Sequence, residues 1–342
     1  MKIFIKVLFA YILLQPFYAF SESEGLKILV VGAGISGLGV ARDLHDSGYE
    51  VTVLEARNKI GGRIDTDRSL GFPLERGANW IHSNQVEGNQ LMSLKEELGL
   101  KTNISTLDPV DFKLFNKEGE VVTLSEEDFE KIEFRLGLAA YIASYVKPSS
   151  TLGDVIGLLK SLGLLSFAPD VVFKAFLQQL ELGAAEDEEN IPVGVLISEY
   201  AYMEDAGDDE EIFGGFDQFT NHLSKNLDIE LNSPVSKINY LSDKIEVFAN
   251  DKAYIADVVV ISVSLGVLQK NLIEFIPDLP VQKKEAINNI SWRIVNHVLF
   301  KFPYNFWSDV ETFCLATEYS HAFTPSLPVA VLVNYRGIHS FI

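Results

Sequence analysis

The chain has 342 residues, 47% of them hydrophobic and 22% charged, with a formal net charge of −20. That length suffices for two domains, or one large one, with a substantial buried core. The acidic balance, with no basic stripe to meet phosphates, excludes nucleic acid as a partner; it would draw in polycations, although solubility alone accounts for it as well. Cys314 is the only cysteine and the six histidines show no ligand spacing, so neither a disulfide framework nor a metal site is expected.

Lys2 and Lys6 flank the start of the apolar run VLFAYILLQPFYAF, and Ala19-Phe20-Ser21 offers small residues where a signal peptidase cuts. Residues 1–21 therefore read as a secretory signal peptide, and the protein as secreted. The alternative is a signal anchor that stays attached, but the run is short and is broken by Gln15 and Pro16. No later stretch reaches about 18 unbroken apolar residues, so no stable membrane insertion is expected after cleavage. Secretion would open the sequons Asn103-Ile104-Ser105 and Asn289-Ile290-Ser291 to glycosylation, Asn289 unless burial prevents it.

Next comes LKILVVGAGISGLGVARDLHDSGYEVTVLEARNKIGGRI. Lys27–Val31 is an apolar, partly β-branched run, as a parallel strand buried on both faces requires. Gly32, Gly34 and Gly37 form G-x-G-x-x-G, and Ile35, Leu38 and Leu44, with Val40 and Ala41 between them, continue at helical spacing. Glu50–Leu54 is a second strand with Glu55 at its end. This β-α-β order is that of the dinucleotide fingerprint. Gly32 allows the turn, Gly34 clears the approach of a pyrophosphate, and Gly37 lets the helix pack on the sheet. The phosphates would meet the helix N-terminus at Gly34, Ile35 and Ser36. Glu55, with Ala56 beside it, lies 23 residues past Gly32, where a carboxylate can accept from ribose hydroxyls. It would repel a phosphate there, which disfavours an NADP-type ligand. Arg57 and the run Gly61-Gly62-Arg63 suggest further contacts to a long phosphate-bearing ligand, or else a glycine turn with solvated arginines.

The segment from Gly32 to Ile64 resembles the N-terminal motif of the flavin amine oxidases. LERGANWIH (Leu74–His82), FGGFDQF (Phe213–Phe219), VVVISVSLGVLQ (Val258–Gln269) and FKFPYNFW (Phe300–Trp307) resemble further blocks of that family, in family order. Within the family they are most similar to secreted polyamine oxidases. The resemblance implies an α/β fold in which a Rossmann-like FAD-binding domain, residues 25–83 and 205–295, is interleaved with an α+β substrate-binding domain, residues 84–204 and 296–342. It implies non-covalent FAD, and Gly77, Ala78, Asn79 and Trp80, beside Glu75 and Arg76, on the flavin side. Val235, after Asn232-Ser233-Pro234, would meet the adenine end through its backbone, or is plain core. The implied reaction takes a hydride from the carbon beside a polyamine nitrogen, of spermine or spermidine type, to the flavin, with oxygen as acceptor and hydrogen peroxide as product.

Polyamines are mostly protonated near neutral pH, so such a reaction needs a group that orients or deprotonates the reacting nitrogen. His82 occupies the position of a substrate-contacting histidine in the resembling block; by residue context alone it reads as structural or surface. His297 stands where active relatives carry a lysine that holds a water beside the flavin, and it too reads alternatively as a strand histidine without a chemical role. The acidic stretches Glu186–Glu189 and Asp208–Glu211 would guide a polyamine inward or be solvated loops. The family pattern continues past Ile342 with further substrate-domain elements, an A-G-E-type segment and a last helix, so the fold is expected C-terminally truncated. Two other readings stand beside the polyamine oxidase: another amine or L-amino-acid oxidase, and a non-catalytic relative. Nothing in the sequence specifies an oligomeric state.

Overall fold

The structure is a computed structural model that describes residues 25–105, 112–115, 120–122, 125–165, 187–203 and 206–291, parts of 170–180, and four later strands. The expected signal peptide and His297 lie outside the described residues. Two compact units form, one from residues 25–78 with Gly214–Ser291, the other from Asn79–Phe213 with the strands beyond residue 300.

The first unit opens with β1 (Lys27–Val31) and β2 (Glu50–Leu54), parallel and in register from Lys27 opposite Glu50 to Val31 opposite Leu54. Ile28–Val31 of β1 and Val51, Val53 and Leu54 of β2 are buried, as a central strand covered on both faces demands. Helix α1 (Ile35–Asp46) crosses between them and buries Gly37, Leu38 and Ala41. The short strands β3 (Thr66–Asp67) and β4 (Leu74–Glu75) pair antiparallel.

In the second unit β5 (Trp80–Ile81) precedes α2 (Gln90–Leu98), whose cap residue Asn89 accepts from the amides of Leu91 and Met92. Strands β6 (Thr102–Ser105), β7 (Phe112–Phe115) and β8 (Val121–Val122) follow. Then come α3 (Glu126–Val146), α4 (Leu152–Ser161), opened by a Thr151–Asp154 capping box, and α5 (Val193–Met203). Ile132, Leu136, Leu152, Val155, Ile156, Phe176 and Leu196 form the core of this helical part. Strand β9 (Asp209–Ile212) lies between β5 and β6, antiparallel to both.

The chain then returns to the first unit with α6 (Asp217–Leu223), β10 (Asp228–Glu230), β11 (Val235–Asn239), β12 (Ile245–Ala249), β13 (Lys252–Ala256), β14 (Val258–Ile261), α7 (Leu265–Gln269), β15 (Glu274–Ile276) and α8 (Val281–Asn289). Two of these strands complete the parallel sheet, in the order β10-β2-β1-β14; four make a second sheet, β13-β12-β11-β15. Leu29, Val31 and Leu54 of the first sheet pack on Val235, Val247 and Ala249 of the second. Of the later strands β16 (Phe300–Lys301), β17 (Thr312–Leu315), β18 (Asn334–Tyr335) and β19 (Ile338–Phe341), β17 runs parallel to β7. No helix among the described residues is long and apolar enough to cross a membrane.

Two expectations are corrected here. Asp208–Glu211 is no solvated loop: three of its residues begin β9, and Glu210 is 6% exposed. Asn289, where burial would have prevented glycosylation, is exposed at the last position of α8, whereas Asn103 is half-buried in β6.

Glu75 couples two stretches of the first unit. Its Oε1 accepts from the Phe216 amide at 2.7 Å and from the Thr66 hydroxyl at 2.7 Å. Burial pushes the Glu75 carboxyl above its ordinary 4.5, against the lowering by those bonds. Because its protonated form is favoured in the fold, its contribution to stability is complete below 4.5 and declines as pH rises through the higher folded value. Glu75→Gln, which keeps a carbonyl acceptor, should gain stability relative to the parent as pH rises from 4 to 7. Glu75→Ala should lose about 1–3 kcal/mol by stranding both donors. Denaturant midpoints across that range check both; an Ala variant as stable as the parent would exclude the coupling.

Candidate functional site

Between β1 and α1 the chain must reverse within Gly32, Ala33 and Gly34. Gly32 takes a φ of +107°, where side chains are strained, and a Cβ there would lie 2.9 Å from Ser262 Oγ. A Cβ on buried Gly37 would run into the Gly32 carbonyl oxygen and the Ser262 hydroxyl. The fold itself therefore demands these two glycines. Gly34 is different. Its φ of −72° and ψ of 172° suit any residue, and a Cβ on it would come no closer than 3.9 Å to its nearest neighbour, Gly62 Cα. Space kept clear where packing does not require it suits a ligand that approaches the backbone closely. Helix α1 has no side-chain cap and no acid in its first turn. Its first amides, at Ile35, Ser36 and Gly37, thus offer donors and the positive end of the helix dipole to an anion.

Strand β2 delivers Glu55, 7% exposed, to the same place. Its Oε2 accepts from the Ala33 amide at 2.8 Å and its Oε1 from the Arg57 amide at 2.9 Å. Each carboxylate oxygen can accept again, so capacity remains for ligand hydroxyls. The Glu55 carbonyl accepts from the Ser233 amide at 2.8 Å, and the Asn232 amide donates to the Arg57 carbonyl at 2.8 Å. These bonds bring the turn before Val235 alongside Glu55, Ala56 and Arg57. The Val235 side chain is core, 8% exposed, so only its backbone is available to a ligand.

The second glycine run joins this surface. The Gly61 amide donates to the Ala33 carbonyl at 2.8 Å, and Gly34 and Gly61 form a parallel bridge. Arg57 Nη2 donates to the Gly62 carbonyl at 2.8 Å. The Ala78 amide donates to the Arg63 carbonyl at 3.1 Å, and a Cβ on Gly77 would strike that same carbonyl. A clear Gly34, an uncapped helix and a carboxylate with spare acceptor capacity fit an adenine dinucleotide.

Asn79, Trp80 and His82 belong to the second unit. Antiparallel pairing sets Trp80 opposite Glu211 and Ile81 opposite Glu210, which carries His82 to Asp209 on the face of Trp80. His82 Nδ1 lies 2.8 Å from Asp209 Oδ2, and Trp80 Nε1 donates to Glu211 Oε1 at 3.1 Å. The hydrogen bond to Asp209 raises the His82 imidazole above 6.5, against a smaller desolvation effect. On the other face Glu210 accepts from Lys95 at 2.8 Å, Thr102 at 2.6 Å and Asn84 at 3.1 Å. Burial pushes the Glu210 carboxyl up, but these bonds outweigh it and hold it below its ordinary range.

Sequence reasoning missed the pairing of Asp209 with His82, the contact of Ser262 with Gly32 and Gly37, and the coupling role of Glu75. The two-residue alternation of β9, with Asp209 and Glu211 on one face and Glu210 and Ile212 on the other, was the available signal for the first. Among the described residues no group of three or more His, Cys, Asp or Glu could hold a metal ion.

Known proteins resemble this chain in sequence and in fold. The family model described as flavin containing amine oxidoreductase matches residues 35–333. Polyamine oxidase 5 of Oryza sativa subsp. japonica is 32% identical over 308 residues, which are 83% of this chain and 60% of that protein. Polyamine oxidase 2 of Arabidopsis thaliana is 31% identical over 322 residues, 88% of this chain and 65% of that protein. The chain thus spans 60–65% of the length of these curated relatives. A solved structure of putrescine oxidase bound to putrescine superposes with a TM-score of 0.66 at 21% identity, covering 86% of this chain and 70% of that one, and so shares the fold.

The two kinds of glycine give a test. Gly37→Ala should cost several kcal/mol or prevent folding, as overpacking against fixed backbone does. Gly34→Ala should leave stability unchanged or raise it by about 0.4–1 kcal/mol, while lowering the bound flavin per chain at least tenfold. Thermal unfolding and visible absorbance read the two effects separately. Full flavin content in a well-folded Gly34→Ala variant would exclude pyrophosphate contact at this glycine.

Proposed function

The chain belongs to the flavin containing amine oxidoreductases, and from that premise we propose that it is an FAD-dependent oxidase of polyamines of spermine or spermidine type. The observation that carries the cofactor is the cleared backbone at Gly34 beside the uncapped α1 and the buried Glu55 carboxylate. The amide donors of Ile35, Ser36 and Gly37 take the pyrophosphate, Glu55 takes ribose hydroxyls, and the Val235 backbone takes the adenine end. FAD would be held through hydrogen bonds and dipole interactions, without a covalent link, since Cys314 lies outside the matched cofactor motifs. When bound, it supplies the two-electron acceptor that takes a hydride from the carbon beside the amine nitrogen and returns the electrons to oxygen as hydrogen peroxide.

The chain's own residues handle position and protons. Gly77, Ala78, Asn79 and Trp80 line the flavin side, chiefly through backbone groups. His82 receives the reacting amine, which must be neutral for oxidation at the neighbouring carbon. The names of the plant polyamine oxidases among its relatives support the substrate class. His297, at the position of the lysine in the resembling block, would hold a water beside the flavin.

The purified chain should be yellow, and spermine or spermidine should bleach it in the absence of oxygen, with hydrogen peroxide released when air is admitted. A colourless chain, or one that no amine bleaches, would make it a non-catalytic relative. Bleaching by an L-amino acid alone would assign it to the other oxidase class. We also propose secretion after removal of residues 1–21, with a glycan on exposed Asn289. Mass spectrometry of the protein from culture medium should find a new N-terminus near Glu22; retention of Met1 in a membrane fraction would refute this.

A further inference from the structure

We propose that Asp209 is the positioning residue of His82: it fixes the imidazole in the tautomer whose Nε2 accepts a proton from the substrate ammonium group. The inference rests on the reading of His82 as the residue that meets the amine, and adds to it a partner, a tautomer and a direction of proton transfer. Asp209 Oδ2 is 2.8 Å from Nδ1. An ionised carboxylate only accepts, so neutral His82 must carry its proton on Nδ1 and its lone pair on Nε2. With the Nδ1 edge committed, Nε2 is the ring nitrogen left for a ligand, on a side chain that is 69% exposed.

The second oxygen of the same carboxylate fixes the backbone. Asp209 Oδ1 accepts from the Ser83 amide at 3.2 Å. Ser83 adopts a φ of +63°, in the left-handed region that non-glycine residues avoid by on the order of 1 kcal/mol. Such a conformation persists only where its surroundings determine it, and here they do. Asn89 Nδ2 donates to the carbonyls of His82 and Ser83 at 3.0 and 3.3 Å. The Asn84 amide donates to the Asp208 carbonyl at 2.9 Å. One carboxylate thus holds both the ring of His82 and the turn that leaves it. A surface histidine with no partner to orient it would not need this scaffold.

The groups described against His82 are Asp209 from β9, Trp80 from β5, with ring centroids 6.2 Å apart, and Asn89 at the cap of α2. Asp209 is the titratable one among them; Glu211, next along that face of β9, takes Trp80 Nε1. In the step assigned to the pair, an N–H bond of the ammonium breaks and an Nε2–H bond forms. The positive charge passes to the imidazolium, opposite Asp209, and the amine keeps its lone pair. The base form of His82 exists only above its raised value, so activity rises with pH through that value. Removing the carboxylate lowers the value and moves the rise to lower pH, while the unfixed ring makes the plateau fall.

Asp209→Asn tests this with little disturbance, because Asn keeps Oδ1 for the Ser83 amide. In the flavin-loaded chain kcat/KM for spermine should fall about tenfold or more, part of the roughly 10²–10⁴ that a positioned proton-transfer group contributes. Its acidic limb should also move to lower pH, a shift that a merely structural residue would not cause. Nitrogen-15 NMR of the histidines, which needs no turnover, should show neutral His82 as the Nδ1–H tautomer in the parent. The variant should show mixed tautomers and a lower midpoint. If His82→Ala reduces kcat/KM but Asp209→Asn leaves rate, limb and tautomer unchanged, the positioning role is refuted and the reading of His82 stands. If His82→Ala also leaves kcat/KM unchanged, it is the reading of His82 that fails. An Nε2–H tautomer in the parent overturns the inference whatever the rates.

Discussion

Taking a carboxylate out of water is unfavourable unless its oxygens find donors, and around Glu55 the chain supplies them from its own backbone. One comes from the turn after β1, at Ala33, and one from the loop after β2, at Arg57. The Glu55 backbone meanwhile binds Glu230 and Ser233, more than 170 residues further along the chain. A single buried acid therefore sets the spacing between the first β-α turn, the loop after β2 and the crossing into β11. The glycine surface at Gly34 and Gly61 depends on that spacing, because two backbones meet there without side chains between them. The amides that anchor Glu55 leave its oxygens further acceptor capacity, so in the proposed FAD site the residue that folding fixes would also take the ligand's hydroxyls.

The same logic governs β9. Charged residues are unusual in a strand between two neighbours, yet Asp209, Glu210 and Glu211 are all accommodated because alternation sends them to opposite faces. Glu210 enters the interior and is satisfied by Lys95, Thr102 and Asn84. A buried acid with three donors is tolerated, whereas one left alone would be costly. Fixing Glu210 inward fixes Asp209 and Glu211 outward, beside His82 and Trp80. Register in β9 and the geometry of His82 are thus one constraint.

What the sequence disclosed followed from range. The first strand, helix and second strand could be read because their determinants lie within thirty residues: buried runs, 3.6-residue spacing and glycines. Gly37 was legible by motif, but of the two groups that require it only the Gly32 carbonyl is local; the other, the Ser262 hydroxyl, follows β14 and lies over 220 residues away. Asp209 was hidden for the same cause, since its partner is 127 residues distant and only pairing of β5 with β9 brings them together. As text, Asp208–Glu211 is a run of acids, which composition assigns to solvent. Whether burial shields Asn289 was open in the sequence, and α8 exposes that end. Val235 shows the opposite limit: of its two readings the structure describes the core side chain, which leaves only the backbone for the proposed adenine contact.

Electrostatics tie the proposed role of His82 to the acidity of the protein more closely than net charge does. A formal −20 acts through a screened field that fades over about 8–10 Å in physiological salt, so it can gather polyamines near the surface but cannot position one nitrogen. The His82–Asp209 pair acts at contact distance. With the imidazole neutral the pair carries one negative charge, complementary to an ammonium group. Once the proton has crossed to Nε2 the pair is neutral overall and the amine is uncharged, so the attraction that bound the cation is replaced by a hydrogen bond to a neutral nitrogen. Binding and deprotonation are then consecutive uses of one carboxylate. This explains why an acid in β9 suits His82 better than a second histidine or a hydroxyl: those partners could orient the ring, but neither would supply the charge that the proton transfer cancels.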